Sequence, residues 1–487
     1  MYLGIDLGTS SVKIVLVGAA EALVASVEVP LAPRQPRPGW SEDDPDLWWE
    51  AVASGLDRLR AEQPGVLRQV AGIGLSGQMH GALLLDEAER PIGPAILWND
   101  GRAAAEARDL ARRVPHLIPL AGVRPMPGFT APILAWLRAH EPALLDRARH
   151  LLLPKDWIRL KLTGERSTDP SDAAGTWLLD QGRRAWARDL AEACGADPAW
   201  LPPIIESTAV SGRLRPLLAA RWGLPPGTPV AGGGGDTAVG GVGIGAVKPG
   251  RGFVSLGTSG QVFLARDVYR PAADPTVHGF CHALPDRWCR MAALLNGASP
   301  LAAATRWTGR ADVATLLGEV ESGFSGPSPL LALPYLFGER TPHDDPTARG
   351  AVIGLTSATT PADIAQSMME AVAFSLADGL KALAPATRPA ALGFIGGGAR
   401  SRLWGRIIAA VLDVPLERHT GGERGPAFGA ARLARLAVTG EAPADVAVPP
   451  PIADTIPPEP RLVDAYAPRL TAFRALYAAL KPEFTRA

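Results

Sequence analysis

The sequence predicts an α/β protein built from two similar halves, and three observations carry that prediction. At 487 residues, 47% hydrophobic and 20% charged, the chain suits a globular protein and is long for one domain. Strand-like and helix-like stretches alternate in mixed order, an arrangement that holds ligands at strand ends. One strand–turn–strand unit occurs twice, half a chain apart.

The first copy is YLGIDLGTSSVKIVLV, where two β-rich runs flank Leu7-Gly8-Thr9-Ser10. In the second, GFVSLGTSGQVFLA, two apolar runs flank Leu256-Gly257-Thr258-Ser259. The same tetrapeptide in the same setting predicts two related domains. The turn-like Lys248-Pro249-Gly250 marks their boundary, giving domains 1–247 and 248–487. The copies differ just before the turn, with Asp6 in the first and Ser255 in the second. If both turns hold phosphate oxygens, only the first adds a carboxylate, so a metal ion belongs on the first-domain side.

The remaining elements follow in order. Residues 70–76, VAGIGLS, read as a strand, and Thr228–Ala231 as a short one. A helix can begin at Thr237. Thr360-Pro361-Ala362-Asp363 combines a capping residue, a proline and a first-turn acid, and opens a helix that runs on with helical apolar spacing. ALGFI (391–395) is a strand, Gly396-Gly397-Gly398 a turn and RLWGRIIAAVL a helix.

Composition excludes several classes. Formal net charge is zero without a basic block, so no nucleic-acid partner is expected. The most membrane-like window, 230–247, contains Asp236 and many glycines, so no membrane partner is expected either. The N-terminus carries no leader pattern, and Cys194, Cys281 and Cys289 lack CxxC spacing; both point to the cytoplasm. His278, Cys281, His282 and Cys289 crowd one segment, but their spacing matches no standard zinc pattern, so packing is expected there.

Two glycine patterns, 72–77 and 241–246, resemble dinucleotide loops but lack a strand before and a helix after. No lysine follows a glycine, which excludes a Walker loop. Phosphate recognition therefore falls to backbone amides and hydroxyls in turns. Candidates are Thr9, Ser10, Gly257, Thr258 and the 396–398 turn. Lys13, three residues past the first turn, reads equally as a phosphate contact and as a solvated strand lysine.

Phosphoryl transfer to a hydroxyl needs a group to accept the proton. GGGGDTAVGG (232–241) delivers Asp236 to a strand-to-helix corner, where it is either that base or a helix cap. Asp6 is either a turn former or a metal ligand. Gly77-Gln78-Met79-His80-Gly81 and Trp98-Asn99-Asp100-Gly101-Arg102 offer polar and aromatic groups suited to a polyol.

Together these pieces resemble the FGGY carbohydrate kinases. The similarity covers nearly the whole chain, through GIDLGTS, GQMHGALLLD, AILWNDGRA, MPGFTAP, LLPKDWIRLKLTGE, SDAAGT, SLGTSG, HALPDRW, LPYLFGERTPH, GAVIGLTSATTPADIAQSMME and IGGGARS. The resemblance implies two ribonuclease-H-like domains, as in actin and hexokinase, flanking a cleft. It implies ATP and Mg²⁺ as cofactors. By resemblance, Asp236 is the general base, Asp6 lies at Mg²⁺-ATP with Asp236 beside the metal, and Met79 and His80 bind sugar together with Trp98, Asp100 and Thr237. Thr9, Ser10, Lys13, Gly257 and Thr258 then serve the phosphates, and Gly397, Gly398 and Ser401 the adenosine. GQMHG points to members acting on D-xylulose. Ribulose, glycerol or another polyol is the nearer alternative, and an actin-like ATPase switch without a sugar the more distant one. The resemblance also admits a homodimer. Three departures stand out: Ile133 where the family usually has Lys, Thr237 where Asn is common, and Trp307 one turn beyond the position, near Ala303, where relatives carry Trp.

Overall fold

The computed structural model describes residues 1–18, 20–385, 387–420 and 425–484. Its centre is two seven-stranded sheets. The first contains β1 (Tyr2–Leu7), β2 (Ser11–Val17), β3 (Leu23–Pro30), β4 (Gly72–Gly77), β5 (Val210–Arg213), β6 (Pro229–Ala231) and β7 (Gly234–Gly235). Their order is β5-β6-β4-β1-β2-β3, with β7 beside the end of β4. The second contains β8 (Gly252–Leu256), β9 (Gly260–Arg266), β10 (His278–Cys281), β11 (Trp288–Leu294), β12 (Leu392–Ile395), β13 (Leu416–His419) and β14 (Ile452–Ile456), in the order β10-β11-β9-β8-β12-β13-β14.

The same five-strand motif recurs in both. An antiparallel meander (β1-β2-β3 and β8-β9-β11) is extended on its first strand by two parallel strands, β4 and β6 or β12 and β13. This is the duplicated ribonuclease-H-like sheet of the actin and hexokinase ATPases. The repeated LGTS segments form the two β-hairpins the sequence predicts.

Seven helices matter to the site and its frame: α1 (Pro45–Glu62), α2 (Pro154–Thr163), α3 (Asp236–Gly243), α4 (Pro361–Ala382), α5 (Arg402–Leu412), α6 (Gly425–Thr439) and α7 (Pro460–Phe484). α1 buries Trp48, Val52, Leu56 and Leu59 in the core of the first sheet. α4 starts where predicted, because Thr360 Oγ1 accepts from Asp363 N while the Asp363 carboxylate accepts from Thr360 N. Neither GxGxxG-like run is a nucleotide loop: residues 72–77 are β4, and 241–243 close α3.

All strands of the first sheet precede residue 236 and all those of the second follow residue 251, but α6 crosses back. It lies on β1, β4 and α3, and the approach is backbone to backbone. A Cβ on Gly74 would stand 1.8 Å from Ala430 O, and one on Gly429 would stand 2.0 Å from Val239 O. Buried Arg432 seals the crossing by donating to the carbonyls of Val242 and Gly243 and pairing with Glu21.

The cysteines are buried and unpaired. Cys281 Sγ meets Gln181 O, and His282 Nε2 meets Ala246 O at 3.2 Å, so this segment packs as expected. Among the described residues no helix is long and apolar enough to cross a membrane.

Candidate active site

Three parallel strands end together at the first sheet's edge. In register, Asp6 of β1 lies beside Ser76 of β4, and Ser76 beside Gly234 of β7. Asp236 follows two residues later as the first residue of α3. Lys13 of β2 lies directly across from Asp6 and so shares its face.

The four glycines that precede Asp236 are required by what surrounds them. A Cβ at Gly232 would meet Glu206 O at 2.3 Å, at Gly234 Ser171 Oγ at 2.6 Å, and at Gly235 Met79 Cγ at 2.7 Å. Gly233 has a left-handed φ of 69° and presses on Leu75 O. The chain threads a gap with no room for side chains until the carboxylate emerges.

Asp236 is not a helix cap. Gly235 holds the N-cap position, with no side-chain bond. Asp236 Oδ1 accepts from Thr237 N at 2.6 Å and Thr237 Oγ1 at 3.2 Å, while Oδ2 makes no hydrogen bond among the described residues. Burial pushes its carboxyl up to about 6, opposed by the two Thr237 donors. Burial and then the charge of Asp236 push Asp6 up to about 7, opposed by the neighbouring Ser76 hydroxyl and Lys13. Asp6 Oδ1 is buried without a hydrogen bond. Two facing carboxylates with an unsatisfied oxygen fit a divalent cation that shares its other positions with phosphates and water.

The two LGTS turns are closed by different hydrogen bonds, spanning three residues in the first, between paired Leu7 and Val12, and two in the second, between paired Leu256 and Gly260. Gly8 N donates to Ser11 O and Gly257 N to Ser259 O, both at 3.0 Å. Ser10 and Thr258 are exposed, and Thr9 and Gly257 partly so, while the Gly257 amide and the Thr9 hydroxyl are engaged within the protein. Gly397 and Gly398 open a short turn after β12; Gly397 is exposed, with nothing near its Cα hydrogens.

Met79 packs under Gly235, and His80 stacks on Phe129 with ring centroids 4.2 Å apart. His80 Nδ1 bonds Gly175 O at 2.6 Å; a carbonyl only accepts, so Nδ1 carries the hydrogen and Nε2 is an acceptor. Burial lowers this imidazole to about 4, which keeps it neutral. Trp98 Nε1 donates to Thr9 Oγ1 at 2.9 Å, and Thr9 Oγ1 donates to Gln78 Oε1 at 3.0 Å. This chain ties the candidate sugar wall to the first phosphate turn.

Two candidates do not present their side chains. Asp100 is closed off: its carboxylate accepts from Ser41 N at 2.6 Å and from Arg102 through N, Nε and Nη2, and its side chain has no exposed surface. It shapes the loop instead of meeting sugar. The Ser401 hydroxyl caps α5 by accepting from Trp404 N at 3.2 Å, so only its backbone faces the adenosine turn. Ile133 is core, and Trp307 is 57% exposed on the surface.

Sequence reading missed a buried charge cluster behind the corner that carries Asp236. Lys155 Nζ lies 2.6 Å from Asp156, 3.0 Å from Asp169 and 3.2 Å from Asp172, and Arg159 also pairs with Asp156. A signal was present: Lys155 is one of six lysines in a chain whose cations are otherwise arginine.

Duplicated ATPase-type domains, each with a Leu-Gly-Thr-Ser turn, and a carboxylate pair at the strand ends define a class, the phosphotransferases of the actin and hexokinase fold. Within it, residues 1–243 match the N-terminal domain and residues 252–438 the C-terminal domain of the FGGY family of carbohydrate kinases. The chain belongs to that family. It is 43% identical to a xylulose kinase of Klebsiella pneumoniae and 42% identical to one of Escherichia coli K12, each over 99% of both chains. A solved structure described as a xyloylose kinase from Brucella ovis superposes with a TM-score of 0.95 at 43% identity, again over 99% of both chains.

Proposed function

We propose that the protein transfers the γ-phosphoryl group of ATP to the terminal hydroxyl of D-xylulose, giving D-xylulose 5-phosphate. The observation that carries this reading is Asp236: a carboxylate at a strand-to-helix corner, with one oxygen unengaged, between Met79 and His80 on one side and Asp6 with the first LGTS turn on the other. The full-length likeness to xylulose kinases supports the choice of sugar.

In this reading the sugar rests against Met79, the Nε2 acceptor of His80 and the Trp98 wall. Asp236 Oδ2 accepts the proton of the terminal hydroxyl as that oxygen attacks, a contribution of about 10²–10⁴-fold. Thr237 fixes the other oxygen and so aims the free one. The exposed hydroxyls of Ser10 and Thr258 and the turn backbone at Thr9 and Gly257, with Lys13, hold the phosphate chain, and Gly397, Gly398 and the Ser401 backbone line the adenosine side. Asp6, with Asp236 beside it, would hold Mg²⁺, which when bound neutralises phosphate charge. Closure of domains 1–247 and 248–487 excludes water and limits ATP hydrolysis. Reduced, buried cysteines and zero net charge favour a cytoplasmic enzyme without nucleic-acid or membrane partners, and a homodimer is consistent with this reading.

A second sugar has a specific observation behind it. Thr237 spends its hydroxyl on Asp236, so the position offers a sugar no amide, and D-ribulose or a polyol becomes the second reading. The test is ADP release with D-xylulose, D-ribulose, L-ribulose, xylitol and glycerol. D-xylulose should give the highest kcat/KM. A preference for another sugar would replace it in this proposal, and release indifferent to every sugar would overturn the kinase reading.

A further inference from the structure

The buried cluster around Lys155 has an output. Asp169 caps the short helix Pro170–Ala173, and its Oδ2 accepts from Ser171 N at 2.8 Å, Ser171 Oγ at 2.5 Å and Ser207 Oγ at 2.9 Å. Its Oδ1 faces Lys155 Nζ. Having donated its proton to Asp169, Ser171 Oγ accepts from Gly235 N at 3.2 Å, and Gly235 immediately precedes Asp236. The same segment supplies Gly175 O to His80. Arg159 adds a second hold on the glycine run by donating to Gly232 O.

Lys155 and Arg159 face Asp156, Asp169 and Asp172, all buried. Asp172 Oδ2 lies 3.2 Å from Lys155 Nζ, and burial raises this carboxyl above the ordinary range, opposed by the Lys155 ammonium. A charge set so fully buried is costly unless its geometry is satisfied, which makes it rigid. Rigidity at this place has a use, because a misplacement of about 1 Å at a reacting group can cost about 10²-fold in rate.

We propose that Ser171 is a positioning residue for Asp236: its hydroxyl links the Gly235 N–H to the Asp169 carboxylate, and through it to the Lys155 ammonium, so that a fixed buried charge holds the corner from which the base projects. The proposal rests on the assignment of Asp236 as base. A structural role alone would not separate Ser171 from Ser207. Both hydroxyls donate to the same Asp169 oxygen, but only the Ser171 hydroxyl also bonds the glycine run; Ser207 meets that run through its backbone carbonyl, which accepts from Gly233 N at 3.1 Å and is kept in Ser207→Ala.

The experiment compares Ser171→Ala with Ser207→Ala in the full chain. Each should lose a similar few degrees in Tm. Ser171→Ala should lower kcat for D-xylulose about 10- to 100-fold with KM within about twofold, whereas Ser207→Ala should keep kcat within about twofold. Hydrogen exchange over residues 232–238, which needs no substrate, should speed up in Ser171→Ala only. Equal kcat losses in the two variants, or an unchanged exchange rate in Ser171→Ala, would overturn the proposal. An inactive wild-type protein whose exchange still responds to Ser171→Ala alone would instead overturn the sugar assignment and leave the relay standing.

Discussion

At the scale of single residues, the account turns on two carboxylates held above their ordinary range. Asp236 must be ionised to take a proton, and burial sets its carboxyl near 6. The rate of phosphoryl transfer should therefore fall about tenfold per pH unit below 6 and level off above it, and a profile flat down to pH 5 would contradict the base role. The same shift has an opposite consequence for stability. The unfolded carboxyl titrates near about 3.9, so between there and 6 the folded state binds more protons, and stability drops as pH rises through that window. Asp236→Asn should thus raise Tm by about 1–2 °C at pH 8 and leave it unchanged at pH 4, while removing activity. Asp236 was legible in the sequence as a choice between base and cap. The structure removes the cap, because Gly235 occupies that position. The closed-off Asp100 carboxylate and the capping role of the Ser401 hydroxyl were not legible, since nothing in a linear motif shows that Ser41 N, Arg102 and Trp404 N already claim their oxygens.

At the scale of elements, glycine-mediated contacts hold the frame. α6 comes from the second half and presses its backbone onto β4 of the first at Gly74. Gly74→Ala would drive a methyl group into Ala430 O and should cost more than about 3 kcal/mol or prevent folding, read by chemical denaturation. Gly397→Ala, with nothing near its Cα hydrogens, should be close to neutral in stability and raise the KM for ATP. The hairpins, β12 and the capping box of α4 were visible in the sequence because local rules set them: turn chemistry, alternating apolar residues and Thr-Pro-x-Asp. The Lys155 cluster and the α6 crossing were not. They join residues far apart in sequence, and a single chain read by period and motif carries no record of such pairings.

At the scale of the whole molecule, duplication is the organising fact. One five-strand motif, used twice, sets a Leu-Gly-Thr-Ser turn on each of two sheets, and the two turns differ in the residue that precedes them. Asp6 stands before the first turn and Ser255 before the second. Asp6→Ser, which makes the first copy resemble the second, should weaken the dependence on Mg²⁺ and reduce turnover while leaving the fold intact; unchanged metal dependence would count against a metal at Asp6. Contacts such as Gly279 N to Gly122 O at 2.8 Å and Cys281 N to Gln181 Oε1 at 3.0 Å join β10 to the first half beside His80, so the segment around His80 is supported from both halves.

The most direct test follows the label from γ-³²P-ATP into D-xylulose 5-phosphate, with wild-type protein and Asp236→Ala side by side, together with ATP affinity measured by equilibrium dialysis. The wild type should label the sugar, and Asp236→Ala should bind ATP as tightly while labelling about 10²–10⁴-fold more slowly. Sugar labelling by Asp236→Ala at a rate near that of the wild type would contradict the account.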